Sequence, residues 1–477
     1  MKQSLNTLYP LFKFPAYLII FVSLFFAIAC RNKSKTDYPI KPVSYEVLLK
    51  NRNYDTNQVV IWLKSGISRD SLKRWLSQHG ASMTLDTSFC SVCDSTLLLL
   101  KGNNILSLIQ TARGGSQSSA QTKPSGDDGP FYYSANFPMD FNDRPNRDQQ
   151  QVKAEEPLQQ KSPGGKAIVV AVFDTGVKKD SIDNRFFYQS SKTSCLGPDA
   201  DNGYNFANGD KNWDDDYGTL HGTVVTKFIV DQVTQYGLNN VSILPVKTHS
   251  ASGEGRLFDI LCGFAYAKER GANIINASFG YYAPRMYIDD AGKVVPDSSG
   301  WLLENYIETY LTKNNILLVA AAGNEDQSGY EASIFPTSNL AALRNLDYIC
   351  FYPASLSTKL GNVIAATTVH NGLVSVNQNF SPKVVNIGVS SDIEMGSTFY
   401  FYNPFVHIRT VTGSSFAAPI VTGKICANYD RIQSHIGSGI HTADKIFNEL
   451  MNSPAVVSKD NTLTGKIRNQ TLTKKRL

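Results

Sequence analysis

The sequence predicts an α/β protein: an open, mostly parallel sheet with helices on both faces, preceded by a smaller α/β unit. Continuous apolar runs, the mark of strands buried on both faces, recur at 166–173, 241–246, 273–277, 316–320 and 363–368. Helix-like segments alternate with them at 224–233, 257–270 (closed by Gly271), 301–312 and 416–432. Short motifs fall where those strands end and those helices begin, the edge at which open parallel sheets place their working groups.

The 477 residues are 42% hydrophobic and 11% aromatic, enough to bury a sizeable core, which excludes wholesale disorder, a collagen-like polymer and a disulfide-dense miniprotein. The net charge of +5 is concentrated at the two ends. Lys2 and Lys13 precede the first apolar run, and 459–477 is rich in Lys and Arg, which leaves the folded region slightly acidic. Nothing in that distribution is a nucleic-acid footprint, so no nucleic-acid partner is expected.

From the start of the chain, Phe14 to Ala29 is an uncharged apolar run. It is short for the roughly 20 residues a spanning helix needs and suits a signal peptide over 1–29. It ends in Ala27-Ile28-Ala29-Cys30, which resembles a bacterial lipoprotein lipobox, with Ala27 where Leu is usual. That resemblance implies lipidation of Cys30, a polar tether over 30–43, and a membrane-anchored protein exported from a bacterial cell, periplasmic or at the cell surface. Six further cysteines follow. The CxxC of Cys90 and Cys93 lacks a second pair, which argues against zinc, and an exported protein is permitted disulfides whose partners the spacing leaves open.

A small α/β unit spans 44–112. A strand at 58–63 is followed by a helix over 69–79, with Ser68 as its cap and Gly80 closing it, and 95–100 reads as a second strand. Next, 113–164 reads as linker and lead-in, Gly/Ser-rich at its start. The main domain is expected over 165–450, and 451–477 as a frayed, basic tail.

Four motifs carry the chemistry. Asp174-Thr175-Gly176 follows the first buried strand, His221-Gly222-Thr223 opens a helix, Ala321-Ala322-Gly323-Asn324 ends a strand, and Ser415 lies in the first turn of the last long helix. Singly, each is ordinary turn or cap chemistry. Together they supply an alcohol nucleophile, an imidazole base, a carboxylate to hold the base, and an amide donor for an oxyanion. The order Asp, His, Ser excludes the α/β-hydrolase arrangement, and Ala417 breaks the Gly-x-Ser-x-Gly elbow.

On VVAVFDTGV, HGT, NASFG, VAAAGNE and GSSFAAP, residues of about 165–430 resemble the subtilisin-like (subtilase) serine peptidases. The resemblance implies a serine endopeptidase acting through an acyl-enzyme, with Ser415 as nucleophile, His221 as general acid/base, Asp174 as its orienter and Asn324 in the oxyanion hole. It also implies a protein or peptide substrate paired along Gly253-Glu254-Gly255 and Ser278-Phe279-Gly280, with Ala321, Ala322 and Gly323 walling a pocket. The unit at 44–112 is similar to the family's inhibitor-like propeptide, so a zymogen is expected. A cut in the 113–129 linker would then leave the main domain free or held non-covalently. The chain departs from the family at Ser414 (usually Thr), at Val224 and Ile420 (both usually His), and at an insertion over 281–300. No cofactor is required, although the aspartates 199, 201, 210 and 214–216 form an oxygen-rich stretch of the kind structural calcium uses. Two other readings use the same residues: a catalytically silent lipoprotein that binds partners, and a peptide ligase or cyclase that passes the acyl group to an amine.

Overall fold

The structure, a computed structural model, describes residues 40–474 apart from 45–54, 81–83, 87–89, 114–128, 140–167, 191, 239, 289–291, 325–339, 393–397, 404–405, 437–442 and 455. Cys30 and the segment 1–29 lie outside the described residues.

The N-terminal unit is a four-stranded antiparallel sheet with helices. β1 (Gln58–Leu63) runs into α1 (Arg69–Gln78), whose N-terminus is capped by the Ser68 hydroxyl accepting from the Ser71 N–H. β2 (Thr84–Asp86), β3 (Leu97–Lys101) and α2 (Ile105–Ala112) follow. The fourth strand, β4 (Phe131–Ala135), lies in what the sequence suggests is linker and lead-in, and it pairs antiparallel with β1. Burial of Phe131, Tyr133 and Ala135, paired with Leu63, Ile61 and Val59, is what draws the segment in. The strand order is β2-β3-β1-β4. The chain then makes a short strand, β5 (Pro138–Met139), outside this sheet.

The main domain is built on a ten-stranded sheet. Its central strand, β6 (Ile168–Asp174), pairs in parallel with β8 (Val241–Lys247) on one side and β10 (Ile274–Ala277) on the other. The two-residue β7 (Tyr204–Asn205) lies beyond β8. β11 (Leu317–Ala321), β12 (Val363–His370) and β13 (Ile387–Ser390) continue the parallel ladder beyond β10. The strand order reverses at β6, so Asp174, at its carboxyl end, sits at a topological switch point.

Helices cover both faces. α3 (His221–Gln235) and α6 (Ser414–Ile436) pack on one, in a core that includes Val225, Phe228, Ile229, Phe416 and Val421. α4 (Leu257–Glu269) and α5 (Trp301–Tyr310) pack on the other. The core of that second face runs without interruption into the N-terminal unit. Trp62 meets Tyr306 edge-on at 5.3 Å, Tyr132 lies 5.0 Å from Trp301, and the Tyr306 hydroxyl donates to Asp94 Oδ2 at 2.9 Å.

Two disulfides cross this interface. A helical turn, Cys90–Cys93, presents both sulfurs of the CxxC to the main domain. Cys90 is bonded to Cys262 on α4 and Cys93 to Cys195, with Cα–Cα separations of 4.9 and 5.0 Å. Cys350 and Cys426 are reduced and buried. These bridges correct the expectation that a linker cut would leave the main domain free or non-covalently held.

The stretch 451–477 is no frayed tail either, at least as far as residue 474. β14 (Ser458–Lys459) and β15 (Thr471–Lys474) form a hairpin whose second strand pairs in parallel with β13. Leu463 and Ile467 are buried, and the Arg468 guanidinium donates to the Lys383 and Ser357 carbonyls. Arg468, one of the charges that suggest a solvated end, here satisfies carbonyl groups of two turns in the main domain.

Candidate active site

Three aspartates in a row shape the loop that leads into His221. Asp214 pairs with Lys178, Asp215 accepts from the Thr223 N–H (2.9 Å) and hydroxyl (2.7 Å), and Asp216 pairs with Lys247 at 2.5 Å. Lys247 is fully buried and also donates to the Thr175 and Asp214 carbonyls. Burial pushes the Asp215 carboxyl up, against the Thr223 hydrogen bonds that hold it down. Asp199 pairs with Lys211, Asp210 accepts from Asn205, and Asp201 accepts from the Ser194 N–H. The oxygen-rich stretch is thus tied to cations and backbone amides, and among the described residues no group of three or more His, Cys, Asp or Glu side chains is placed to hold a metal ion.

Leu220, in the left-handed region at φ 55°, turns the chain sharply so that α3 begins at His221. Gly222 then passes so close to β6 that a Cβ there would collide with the Gly176 carbonyl. Its N–H donates to the Thr175 hydroxyl at 2.9 Å. This packing brings the imidazole onto β6, with His221 Nδ1 2.7 Å from Asp174 Oδ1 and both side chains 1% exposed. Asp174 Oδ1 also accepts from the Thr175 N–H at 2.8 Å, which fixes the carboxylate.

Ser415 comes from far along the chain, on the first turn of α6. The next residue, Phe416, places its ring 5.3 Å from the His221 imidazole. The Ser415 hydroxyl donates to the Ser278 carbonyl (3.1 Å), and the Ser278 hydroxyl donates to the Ser415 carbonyl (2.7 Å). Ser278 is held in turn by Asn276, which accepts from Thr422 further along α6. Asn324 Oδ1 accepts from the Ser414 N–H (2.8 Å) and hydroxyl (3.1 Å), and the Ser414 hydroxyl accepts from the Gly323 N–H at 3.0 Å. Ser414 therefore needs only its hydroxyl, which is what the departure from Thr preserves.

Asp174, His221, Asn324 and Ser415, distant in sequence, are all buried; His221 contacts Asp174 and faces Phe416, and Asn324 accepts from Ser414, so the two chain neighbours of Ser415 touch the other members. Ala321 and Ala322 are buried beside them, and Gly323 (φ 94°) turns the strand end toward Ser414. Phe279 is buried against His249, ring centroids 4.7 Å apart, and Gly280 fits beneath the Tyr352 carbonyl, where a Cβ would clash. Gly253 turns the loop and Glu254 pairs with Arg256. Gly255 and Arg256 form β9, and its edge is taken: β5 of the N-terminal unit pairs with it antiparallel, Met139 opposite Gly255 and Pro138 opposite Arg256. His249 lies under this pair, fully buried, and desolvation lowers its pKa to about 3. His249 and Thr422 carry no motif of their own in the sequence, and Thr175 and Asn276 lie inside quoted motifs without a role assigned to them. Their one signal in the sequence is that each lies within or just beyond a motif or an apolar run.

The family model described as the Subtilase family matches residues 165–453, more than half of the chain. The chain belongs to the subtilase family. Among curated subtilase relatives, the cell wall-associated protease of Bacillus subtilis (strain 168) is 34% identical over 117 residues, 24% of this chain and 12% of that protein, so the match spans a small part of that relative's length. Subtilisin DY of Bacillus licheniformis is 25% identical over 266 residues, 54% of this chain and 75% of that protein. Among solved structures, the epidermin leader peptide processing serine protease of Staphylococcus aureus superposes on this subtilase with a TM-score of 0.54 at 15% identity, covering 88% of this chain and 96% of that one. At that identity the match speaks for the subtilisin-like fold, and its coverage extends the likeness into the N-terminal unit's share of the chain.

Proposed function

We propose that this subtilase is a serine endopeptidase working through an acyl-enzyme on Ser415. The observation that carries the reading is the buried 2.7 Å contact of His221 Nδ1 with Asp174 Oδ1, supported by Phe416, the residue after Ser415, whose ring lies 5.3 Å from the imidazole. Asp174 fixes the tautomer in which Nε2 accepts a proton. Ser415 Oγ leaves the Ser278 carbonyl, adds to the scissile carbonyl and gives its proton to Nε2. The tetrahedral oxyanion is met by the Asn324 side-chain amide and the Ser415 N–H, near the positive end of α6. His221 then passes the proton to the leaving amine, and water repeats the sequence to release the acyl group.

The same reading makes the N-terminal unit an intramolecular inhibitor, because β5 fills the strand edge an extended peptide would use. Maturation then requires a cut C-terminal to Met139. Lipidation of Cys30 and export are part of the proposal, supported by the apolar run and the residues that end it. The test is covalent labelling with a fluorophosphonate after the chain has been cut and treated with a dithiol. Labelling of the wild type and none of Ser415→Ala is expected, and equal labelling of both would overturn the assignment.

A further inference from the structure

The cysteine pairs lead beyond that reading. Cys90 and Cys93 belong to the N-terminal unit, Cys195 and Cys262 to the main domain. Every break of the chain between residues 93 and 195 therefore leaves the two pieces joined twice. Cys262 lies on α4, and the first turn of that helix is where the N-terminal unit docks. The Leu257 N–H donates to the Phe137 carbonyl (2.9 Å) and the Phe258 N–H to Asn136 Oδ1 (2.9 Å). Phe137 stacks on Tyr281 at 5.0 Å, and β5 follows at once on the β9 edge. One helix thus carries both a covalent clamp and the anchor of the cleft strand.

We propose that the N-terminal unit is a permanent, disulfide-held subunit of the cut protein, and that reduction of both bridges, rather than the cut, frees the cleft. A tethered strand that has lost its downstream connection still faces β9 at a high effective concentration, so it rebinds faster than a peptide substrate displaces it. A dithiol reductant removes the tether. Each bridge takes two electrons and two protons and becomes two thiols, while one dithiol becomes its cyclic disulfide. Cys93–Cys195 is partly exposed and yields first, whereas Cys90 and Cys262 are buried. The gating half of this proposal rests on the peptidase reading, but the covalent half does not.

The experiment uses the full oxidised chain with a foreign protease site inserted between 146 and 160, so that β5 stays on the N-terminal piece. In Ser415→Ala protein, the cut chain is expected to run as one species on a denaturing gel without reductant and as two with it. Two species without reductant overturn the proposal. Cys90→Ser alone should still give one species, and Cys90→Ser with Cys93→Ser should give two, which excludes a non-covalent complex as the explanation. In cut wild-type protein, a dithiol is expected to speed fluorophosphonate labelling of Ser415 at least about tenfold. Equal labelling with and without dithiol overturns the gate and leaves the covalent subunit standing, whereas absence of labelling in both overturns the peptidase reading itself.

Discussion

Asn136 caps a helix that is not its own. Its side-chain oxygen accepts from the Phe258 N–H at 2.9 Å, at the start of α4, where the local cap residue Arg256 offers no side-chain bond. The Asn136 amide is steadied by Gln58 on β1, so the N-terminal sheet reaches directly into the helix that follows β9. Removing a cap of this kind costs about 1 kcal/mol. Asn136→Ala in a Ser415→Ala background should lower the denaturant midpoint accordingly, and an unchanged midpoint would contradict the shared cap.

The Asp174–His221 contact predicts a split between stability and turnover. Asp174→Asn keeps the volume and much of the hydrogen bonding but presents an amide to Nδ1, so turnover on a peptide substrate should fall by roughly 10⁴-fold. Thermal unfolding should change little by comparison. Retention of most activity would remove the carboxylate from the mechanism.

Under the proposed mechanism Asn324 combines the acceptor bond from Ser414 with an oxyanion donor, and substitution separates the two. Asn324→Asp retains an acceptor for the Ser414 N–H, while Asn324→Leu removes it. Both lose the amide donor, and both should lower kcat by about 10²–10³ with a smaller effect on KM. Only the Leu variant should also lose folding stability, because it leaves the buried Ser414 N–H and hydroxyl without this acceptor. A KM effect without a kcat effect would place Asn324 in binding instead.

His249 predicts the acid limb of stability. Its pKa is lowered from 6.5 to about 3, chiefly by desolvation, with His221 and Lys247 acting in the same direction and Asp174 and the Met139 backbone opposing them. The unfolded chain therefore binds a proton below pH 6.5 that the folded chain refuses until about pH 3. Stability contributed by the neutral imidazole is complete above the unfolded pKa and is lost as the pH falls, by at most about 1.4 kcal/mol per unit. Denaturant midpoints of Ser415→Ala protein at about pH 7, 5 and 4, with and without His249→Leu, check this. The Leu variant should show the shallower decline, and parallel declines would mean that another group sets it.

The C-terminal hairpin predicts that Leu463→Ala and Ile467→Ala each cost about 2–5 kcal/mol, the range for emptying a buried apolar site. A solvated tail would give changes near zero in the same unfolding measurement.

The central strands were legible because burial on both faces writes them as unbroken apolar runs, and the motifs at Asp174, His221, Asn324 and Ser415, on which the proposed function rests, stand out because each follows such a run or opens a helix. What hid was structure made by polar or sparse residues. β15 reads Thr-Leu-Thr-Lys, too polar to announce a place in a sheet, and β5 is two residues long. The aspartates 214–216 look alike in sequence, yet each grips a different element. The disulfide partners depend on how the N-terminal sheet lies on α4, which no local spacing records.

The place of β15 has a consequence for synthesis. Its partner β13 is made long before it, at Gly388–Ser390 against Leu472–Lys474. Until that later stretch has left the ribosome, β13 exposes a row of unpaired amides and carbonyls of the kind that recruits a neighbouring chain. A premature stop anywhere in that interval would release a polypeptide whose β13 has no outer partner and so an open flank on the sheet.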